Sequence, residues 1–453
     1  MQNTDINSLT RTISKFSPKY YIGRVNAVGT TTVEVIGLTE RASVGDRLSL
    51  LRSGHPPLFG DVTTIERELV TMICDDPLIG VKIGDRVRLL PPLTLHPDAS
   101  WLGKILNPNG VSLSQIDVFD GPVSYQLEAS PPRAASRKPM GQRLCTGSCV
   151  FNTALPIVQG QRIGIFSGSG VGKTNLMGML ANSIEADVIV MALIGERGRE
   201  LNEFINVTLG TERMKKTVIV AATPDMSAPM RVRSAQTALC AAEYFHDQGK
   251  HVVFFADSVT RFAEAYREIA SAAGELPALR GYPASLVPKI MSLCERAGPG
   301  KVGSGDITAI FTVLVAGSDM DEPVADILRS VLDGHIVLDR AIADRGRYPA
   351  IDLLSSVSRA LPKAATAREN MLLRMFRQIL GSYEQNVSMI QSGLYEAGSD
   401  AQIDDAIKVW HELDQFVSDQ EAVSIEASFR KLEVILRKTS IYKSFNAAKL
   451  QEQ

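Results

Sequence analysis

A glycine-rich turn between a buried-strand pattern and an apolar helix pattern constrains the fold of this chain more than any other feature. Residues 162–166 are mostly apolar and predict a strand, and residues 176–180 predict a helix. The turn between them consists of small residues followed by a lysine and a threonine: Ser167, Gly168, Ser169, Gly170, Val171, Gly172, Lys173 and Thr174. A strand, such a turn and a helix in this order predict an α/β fold with a phosphate-binding loop.

The chemistry of this turn favours a nucleoside triphosphate as the ligand. Small side chains allow several backbone N–H groups to converge on a phosphate, and the following helix adds the partial positive charge of its N-terminus. In that arrangement Lys173 would reach the β- and γ-phosphates, and the Thr174 hydroxyl would bind Mg²⁺. Ser167 stands where the usual pattern begins with glycine. The alternative, a turn without a ligand, requires the Lys-Thr ending to be a coincidence.

The composition is that of a globular protein without a membrane or nucleic-acid signature. The 453 residues, enough for about three domains, are 45% hydrophobic and 22% charged, with a net charge of −2. No apolar run approaches the roughly 18–20 residues that span a bilayer, and the polar residues 1–14 lack the apolar core of a signal peptide. Five scattered cysteines favour a reducing compartment. We therefore expect a cytoplasmic protein in which Cys145 and Cys149 are ordinary thiols.

Residues 20–91 predict a small β-barrel. The segments 21–25 and 32–36 are rich in β-branched residues, as strands are. Residues 45–51 and 84–90 both begin with Gly-Asp-Arg and continue as an apolar strand, so the same turn feeds a strand twice. So small a sheet would expose its edge strands, and closure into a barrel removes those edges.

Beyond a connector rich in proline, serine and arginine at 130–139, strand and helix patterns alternate, which predicts a doubly wound parallel sheet with helices on both faces. The predicted strands are 187–194, 217–222, 251–256 and 307–315, and the predicted helices between them are 228–248 and 259–273. From residue 365 the strands stop, and three amphipathic helices follow at 365–390, 401–417 and 422–436. We therefore divide the chain into a segment 1–19, a barrel 20–91, a central α/β domain 92–364 and a helical domain 365–453.

Acidic residues follow two of the predicted strands. Glu196 comes after strand 187–194, and Asp257 comes after strand 251–256. Ligands of doubly wound sheets bind at the carboxyl ends of strands, where Glu196 would activate water and Asp257 would support Mg²⁺. The alternatives are a solvated charged loop around Glu196 and a helix cap at Asp257.

Two further residues are uninformative by themselves. Tyr348 would either stack on a base or pack in the core, and Arg359 would be either a transition-state arginine or a surface charge.

Longer segments resemble a known family. Residues 162–200 resemble the catalytic subunits of the rotary ATP synthase superfamily, whose core is a RecA-like sheet. Within that superfamily, the segments that resemble type III protein-export ATPases are 256–286, 319–340, 347–359 and 394–407. The loop GSGVGKT with LMGML behind it is similar to the flagellar branch rather than the virulence-injectisome branch. The chain departs from the family at 146–149, where Thr-Gly-Ser-Cys replaces Thr-Gly-Val-Arg, and at Asn152, where the family has an acidic residue.

The resemblance implies a role for each candidate residue. Residues 168–172 would hold the phosphates together with Lys173 and Thr174, and Thr174 would share Mg²⁺ with Asp257. The remaining roles it implies are a catalytic glutamate, its phosphate-side neighbour, an adenine-stacking tyrosine and an arginine inserted into a neighbouring subunit's site: Glu196, Arg197, Tyr348 and Arg359.

The resemblance also implies a function and a set of partners. The chain would bind ATP and ADP and hydrolyse ATP with Mg²⁺ as a homohexameric ring, promoting the unfolding and delivery of flagellar export substrates. The implied partners are a stator-like regulator, a central stalk protein, an export gate, and export chaperones with their substrates, without nucleic acid. Contact with the cytoplasmic face of the inner membrane would be peripheral and would run through these partners.

Three alternatives remain open. A virulence-injectisome ATPase would carry the same chemistry. A non-catalytic nucleotide-binding ring subunit would lack a water-activating carboxylate, so Glu196 counts against it. A ring translocase on nucleic acid is disfavoured by the near-neutral charge and the 6% aromatic content.

The first residues carry an apolar stripe. Ile6, Leu9, Ile13 and Phe16 recur at helical spacing in an otherwise polar segment. This pattern predicts a helix that either docks on a partner helix, such as that of a stator-like regulator, or folds back on its own barrel.

Overall fold

The computed structural model describes residues 19–114, 117–315, 319–421 and 423–444. The predicted stripe of Ile6, Leu9, Ile13 and Phe16 lies outside these residues. The chain forms two compact units, of which the first contains the barrel with residues 225–230 and 265–283. Within the described ranges, no helix combines the length and the apolar character that crossing a membrane requires.

Six strands of the first unit close into an antiparallel barrel in the order β1-β2-β5-β4-β3-β6. These strands are β1 (Ile22–Val28), β2 (Thr32–Ile36), β3 (Arg47–Leu51), β4 (Leu58–Ile65), β5 (Leu69–Cys74) and β6 (Arg86–Leu90). Alternate side chains fill the interior, as Val33 and Val35 of β2 show, because successive residues of a strand face opposite sides. The barrel expected from the sequence is confirmed.

The repeated Gly-Asp-Arg segments form equivalent turns in this barrel. Asp46 Oδ2 accepts a hydrogen bond from Ser43 N at 2.7 Å, and Asp85 Oδ2 accepts one from Lys82 N at 2.8 Å. The strands that follow these turns, β3 and β6, are antiparallel neighbours in the barrel. The two Gly-Asp-Arg segments therefore begin two neighbouring strands that run in opposite directions.

The second unit is built around a large, mostly parallel sheet in the order β17-β16-β10-β15-β13-β11-β12-β8. Its strands are β8 (Ile105–Leu106), β10 (Arg162–Ser167), β11 (Val188–Ile194), β12 (Thr217–Ala222), β13 (His251–Asp257), β15 (Asp306–Leu314), β16 (Gly334–Leu338) and β17 (Ile351–Ser358). The short β14 (Gly298–Pro299) pairs antiparallel with β15, and β7 (Thr94–Leu95) pairs with β9 (Tyr125–Gln126).

Helices connect these strands. They are α1 (Cys149–Asn152), α2 (Lys173–Ser183), α3 (Gly198–Glu203), α4 (Gly210–Met214), α5 (Ala228–Asp247), α6 (Val259–Ala272), α7 (Leu286–Glu295), α8 (Pro323–Val331) and α9 (Arg340–Asp344). A π-helical turn, Phe204–Leu209, joins α3 to α4, and short 3₁₀ turns lie at Ala99–Trp101, Ala134–Ser136 and Leu279–Gly281.

The central strands are buried along nearly their whole length. Every residue of β11 and β12 is buried, which is expected for a parallel sheet covered on both faces. The predicted doubly wound sheet is confirmed, with two antiparallel additions: β17 beside β16 and the short β14 beside β15. The sequence pattern did not predict helix α3. Its residues, 198–203, are largely polar and none of them is buried, so they give no apolar periodicity.

Three longer helices follow the sheet: α10 (Ala367–Gln391), α11 (Ala401–Ser418) and α12 (Ile425–Leu436). Each begins at a side-chain cap, from Thr366, Asp400 and Ser424 respectively. Phe376 and Phe416 meet edge to face at 5.7 Å between ring centroids, so α10 packs on α11. The helical region expected after residue 365 is confirmed.

The departure from the family pattern at Asn152 has a structural counterpart. Asn152 is fully buried, and its Oδ1 accepts hydrogen bonds from the N and Oγ1 of Thr146 at 3.0 and 3.1 Å. Its Nδ2 donates to Glu421 O at 3.2 Å and to Ser428 Oγ at 3.0 Å. A neutral amide satisfies all these partners, since it both accepts and donates, and a carboxylate would not.

Candidate nucleotide-binding and catalytic site

The glycine-rich loop joins β10 directly to α2. Ser167 ends the strand, and the helix begins at Lys173, three residues before the apolar run that predicted it. Gly170 and Gly172 have φ angles of 77° and 87°, a backbone conformation that other residues reach only with strain. The sequence therefore folds into a short turn that places Lys173 and Thr174 in the first turn of α2.

The parallel sheet gathers the predicted residues at one edge. Strands β10, β15, β13 and β11 are consecutive parallel neighbours, so their carboxyl ends meet at the same edge. The loop follows β10, Asp257 ends β13 and Glu196 follows β11. We call this the carboxyl edge, and it is the edge where open α/β sheets bind ligands.

Lys173 lies between two carboxylates at the carboxyl edge. Its Nζ forms an ion pair with Asp257 Oδ1 and lies 3.9 Å from Glu196 Oε1. The side chains of Lys173 and Asp257 are largely buried, with 12% and 6% of their surface exposed. Lys173 is the cation that a phosphate would meet in this cluster, and it would have to leave Asp257 to bind that phosphate.

The carboxyl group of Glu196 has a raised pKa. Burial, together with the neighbouring charge of Asp257, raises the pKa of Glu196 to about 7, although Lys173 acts in the opposite direction. A general base is most effective when its pKa lies near the working pH. The raised pKa of Glu196 and its place beside Lys173 make it a candidate for water activation.

Thr174 and Asp257 fit a Mg²⁺ site. Thr174 is exposed at the start of α2, and hydroxyl and carboxylate oxygens are the ligands that Mg²⁺ prefers. Asp257 is buried, and its hydrogen bonds from Lys173 and Thr312 both engage Oδ1. Its Oδ2 makes no hydrogen bond with the part of the chain that the structure describes, so this oxygen remains available to the metal or to a metal-bound water.

Tyr348 lies against the phosphate loop. A Cβ atom added to Gly172 would lie 3.1 Å from Tyr348 Cδ1 and 3.3 Å from Cε1, so the ring borders the loop closely. The ring is 51% exposed. An aromatic ring in contact with the loop and open to solvent is available for stacking on a base.

Arg359 lies at the opposite edge of the sheet, which we call the amino edge. Because β17 is antiparallel to β16, its first residue Ile351 pairs with Leu338 and its last residue Ser358 pairs with Gly334. Arg359 N donates to Asp333 O, beside the start of β10. The whole of β10, about 16 Å at 3.3 Å per residue, separates this position from the phosphate loop of the same chain.

The structure does not bring Arg197 into the buried cluster. Its side chain is 76% exposed, and it forms an ion pair with Glu200 at 3.5 Å. Of the predicted site residues, Lys173, Glu196 and Asp257 form one cluster with the loop and Tyr348 beside it, and Arg197 and Arg359 point away from it.

Sequence reasoning missed an arginine beside Glu196. The aliphatic part of the Arg261 side chain packs beside Gly195. Its Cβ and Cγ atoms would both lie 3.5 Å from a Cβ atom placed on that glycine. A hydrogen bond with Glu264 raises the pKa of Arg261, and the charge of Glu196 acts in the same direction. Nothing in the polar start of α6 distinguishes this arginine from an ordinary surface residue.

Two more residues that contact the site were also missed. Arg340 Nη1 donates to Ser169 O at 3.4 Å, and Thr312 Oγ1 donates to Asp257 Oδ1 at 2.5 Å. Of the two, only Thr312 gives a signal in the sequence, as a hydroxyl within the otherwise apolar end of β15.

Family models match most of the chain downstream of the barrel. Residues 147–358 match the ATP synthase alpha/beta family, nucleotide-binding domain. Residues 365–434 match the T3SS EscN ATPase C-terminal domain. The first match contains the phosphate loop, Glu196, Asp257 and Tyr348, and ends one residue before Arg359.

Curated relatives match from about three quarters to nearly all of the chain. The chain is 40% identical over 441 residues to the flagellum-specific ATP synthase of Caulobacter vibrioides, which covers 95% of this chain and 99% of that protein. It is 42% identical over 354 residues to the flagellum-specific ATP synthase of Salmonella typhimurium, with 78% and 77% covered.

Solved structures have the same fold. The assembled ATPase EscN of the enteropathogenic E. coli type III secretion system matches with a TM-score of 0.86 at 33% identity, over 91% of this chain and 100% of that chain. EscN in complex with its central stalk EscO matches with a TM-score of 0.82 at 34% identity, over the same shares. The sequence resemblance is thereby confirmed, and the chain belongs to the ATP synthase alpha/beta family, among the flagellar and type III secretion ATPases.

Proposed function

We propose that this ATPase hydrolyses ATP with Mg²⁺ in a homohexameric ring and drives flagellar protein export. The observation that carries the chemistry is the cluster at the carboxyl edge, where Lys173 lies between Asp257 and Glu196 beside a phosphate-binding turn. The flagellar assignment is supported by relatives at 37–45% identity that are flagellum-specific ATP synthases, compared with 33–37% for the solved type III secretion ATPases.

Each residue of the cluster has a task in this proposal. The loop amides of residues 168–172 and Lys173 bind the phosphates, and Tyr348 stacks on the adenine. Thr174 and Asp257 hold Mg²⁺, which when bound neutralises charge on the phosphate oxygens. Glu196 accepts a proton from the attacking water, and Arg197 assists on the phosphate side once a nucleotide is bound. Release of ADP and phosphate returns Lys173 to Asp257.

The position of Arg359 supports a ring. Its guanidinium is exposed, donates to Arg329 O at 3.0 Å, and lies at the opposite end of β10 from its own phosphate loop. An arginine there has too short a side chain to reach the γ-phosphate of the same chain. We propose that it enters the site of a neighbouring subunit, where it stabilises charge in the transition state.

In the cell, such a ring would work at the cytoplasmic face of the inner membrane. A central stalk would pass through it, as EscO binds EscN, and the export gate would receive substrates that chaperones deliver. Hydrolysis would promote substrate unfolding and delivery. A stator-like regulator would bind residues 1–19, where the apolar stripe lies.

The chemistry is tested by comparing turnover with binding. Glu196→Gln should bind ATP with near-normal affinity and lose roughly 10²–10⁴ in turnover, the usual worth of a positioned general base. Lys173→Ala should weaken binding as well, because it removes a phosphate contact. A Glu196→Gln protein that turns over ATP at the normal rate would exclude Glu196 from the mechanism.

The regulator site is tested by deleting residues 1–18. The truncated protein should keep its ATP affinity and its thermal midpoint, and lose binding to a stator-type partner. A markedly lower midpoint would instead mean that the stripe packs on its own barrel.

A further inference from the structure

Thr312 occupies a distinctive place in the sheet. It lies on β15, between the strand that leads to the phosphate loop and the strand that ends at Asp257. It pairs with Ile165 of β10, and its neighbour Phe311 pairs with Ala256 of β13, so Thr312 is level with Asp257. Its side chain is fully buried. A buried hydroxyl is unfavourable unless it is hydrogen-bonded, so its partner matters.

The main partner is the carboxylate of Asp257. Thr312 Oγ1 donates to Asp257 Oδ1 at 2.5 Å, and the carbonyl of Ala256 lies farther away, at 3.4 Å. Threonine is stiff about its first side-chain torsion, because it is branched at Cβ. The strand fixes the backbone of Thr312, and the branched Cβ restricts its side chain, so Oγ1 is held beside the carboxylate.

The other group that holds Asp257 is Lys173, which forms its ion pair with the same oxygen. If Lys173 turns to the phosphates of a bound nucleotide, Asp257 loses that contact at the moment when it is needed for Mg²⁺. The hydrogen bond from Thr312 does not depend on the nucleotide. It keeps Oδ1 engaged and leaves Oδ2, which makes no hydrogen bond with the described residues, for the metal or a metal-bound water.

We infer that Thr312 is a positioning residue that holds the Asp257 carboxylate in place for Mg²⁺ when Lys173 binds the nucleotide. This inference rests on the proposed function, since it assumes that the site binds Mg²⁺ with ATP. Residues that hydrogen-bond to a metal ligand typically contribute 10–100-fold to metal affinity.

The experiment measures nucleotide binding by the full chain at increasing Mg²⁺, with a fluorescent non-hydrolysable ATP analogue as the probe. Thr312→Val, which removes the hydroxyl at nearly constant volume, should need about 10-fold more Mg²⁺ to reach tight binding. Its affinity in EDTA should match that of the wild type. Thr312→Ser keeps the hydroxyl and should restore the normal Mg²⁺ dependence.

Thr308 provides the matched control. It is fully buried on the same strand, and its Oγ1 is bonded to Gly160 N and His251 Nε2 at 2.9 Å each, away from the carboxyl edge. Thr308→Val should lower the thermal midpoint and leave the Mg²⁺ dependence unchanged. An equal shift in Thr308→Val would show that any lost buried hydroxyl has this effect, and the inference would fail.

The remaining outcomes separate the inference from the proposed function. A normal Mg²⁺ dependence in Thr312→Val, or an equal defect in Thr312→Ser, would overturn the role of Thr312 alone. A wild-type protein whose nucleotide binding ignores Mg²⁺ would overturn the proposed function. If Thr312→Val does not fold, Thr312→Ala replaces it in the comparison with Thr312→Ser, with the same expected results.

Discussion

Charged side chains are paired differently at the two edges of the central sheet. At the amino edge, Arg162 Nε and Nη2 bind both carboxylate oxygens of Asp333, at 3.0 and 3.3 Å, and Arg162 also pairs with Glu295. Burial opposes the charge of Arg162, but Asp333 and Glu295 raise its pKa above the usual value. Lys138 pairs with Asp306 at 3.0 Å at the same edge. These charges are matched within the chain.

At the carboxyl edge the charges are not paired one to one. Two carboxylates share the cation of Lys173, and the pKa of Glu196 is raised to about 7 by burial and by Asp257. Two carboxylates beside one ammonium are unfavourable without a further cation, and a bound Mg²⁺ would supply one. The paired charges of the amino edge stabilise the fold, whereas the cluster at the carboxyl edge has the charges that a Mg²⁺–nucleotide complex would fit.

The largest effect is expected at Arg359. Arg359→Ala should bind ATP normally, because the residue lies far from its own loop, and should lose roughly 10³–10⁵ in turnover. Wild-type specific activity should rise with protein concentration, since a monomer holds an incomplete site. Arg430, an exposed arginine of α12, is the control: Arg430→Ala should keep normal turnover. A fully active Arg359→Ala protein would break the assignment of this arginine to a neighbour's site.

The next effect concerns stability at the amino edge. Asp333→Ala removes the main partner of Arg162, whose side chain is only 14% exposed, and should cost about 3 kcal/mol of unfolding free energy. Denaturant unfolding measures this, and ATP affinity should not change. In the control, Asp344→Ala breaks the exposed pair with Arg340 and should cost less than about 1 kcal/mol. Equal losses in the two variants would remove the contrast between matched and exposed charges.

The smallest effect compares two serines. Ser167 is buried at the carboxyl edge, and its Oγ has no hydrogen-bond partner within the described residues. Ser167→Ala should therefore leave stability unchanged or raise it by up to about 1 kcal/mol.

Ser358, at the amino edge, is the matched control. Its Oγ donates to Pro156 O at 2.6 Å and accepts from Gln161 Nε2 at 3.1 Å. Ser358→Ala removes both hydrogen bonds; Pro156 O loses its side-chain donor, while Gln161 Nε2 keeps its bond to Asp333 O at 3.1 Å, so the cost should be about 1–3 kcal/mol. Thermal melting of the two variants side by side measures the difference. A larger loss in Ser167→Ala would contradict the distinction between the two edges.

The sequence predicted the fold and the cluster at the carboxyl edge for physical reasons. Continuous apolar runs such as 188–194 reveal buried parallel strands, and a parallel sheet brings the ends of those strands together. Strand ends therefore predict that Glu196 and Asp257 lie at the same edge as Lys173, and the pairing of the strands decides that the three residues meet. The Gly-Asp-Arg repeat similarly indicated the barrel.

Other features depend on pairing that a sequence pattern does not encode. The direction of β17 decides that Tyr348 borders the loop and that Arg359 lies at the other edge, yet an apolar run has no direction. The contact of Thr312 with Asp257 depends on the register of β15 with β13, which spacing along the chain does not fix. The sequence around Arg197 likewise did not predict that its side chain is exposed.

The most direct test of a site shared between neighbouring subunits is to mix two inactive variants. Arg359→Ala subunits keep an intact loop, and Lys173→Ala subunits keep an intact arginine, so about a quarter of the interfaces in a randomly mixed ring would be complete. Mixing these two proteins should restore turnover well above either alone. Mixing Lys173→Ala with Glu196→Gln should restore none, because those two residues lie 3.9 Å apart in one chain. Recovery in the second mixture, or none in the first although mixed rings form, would contradict a site shared between neighbours.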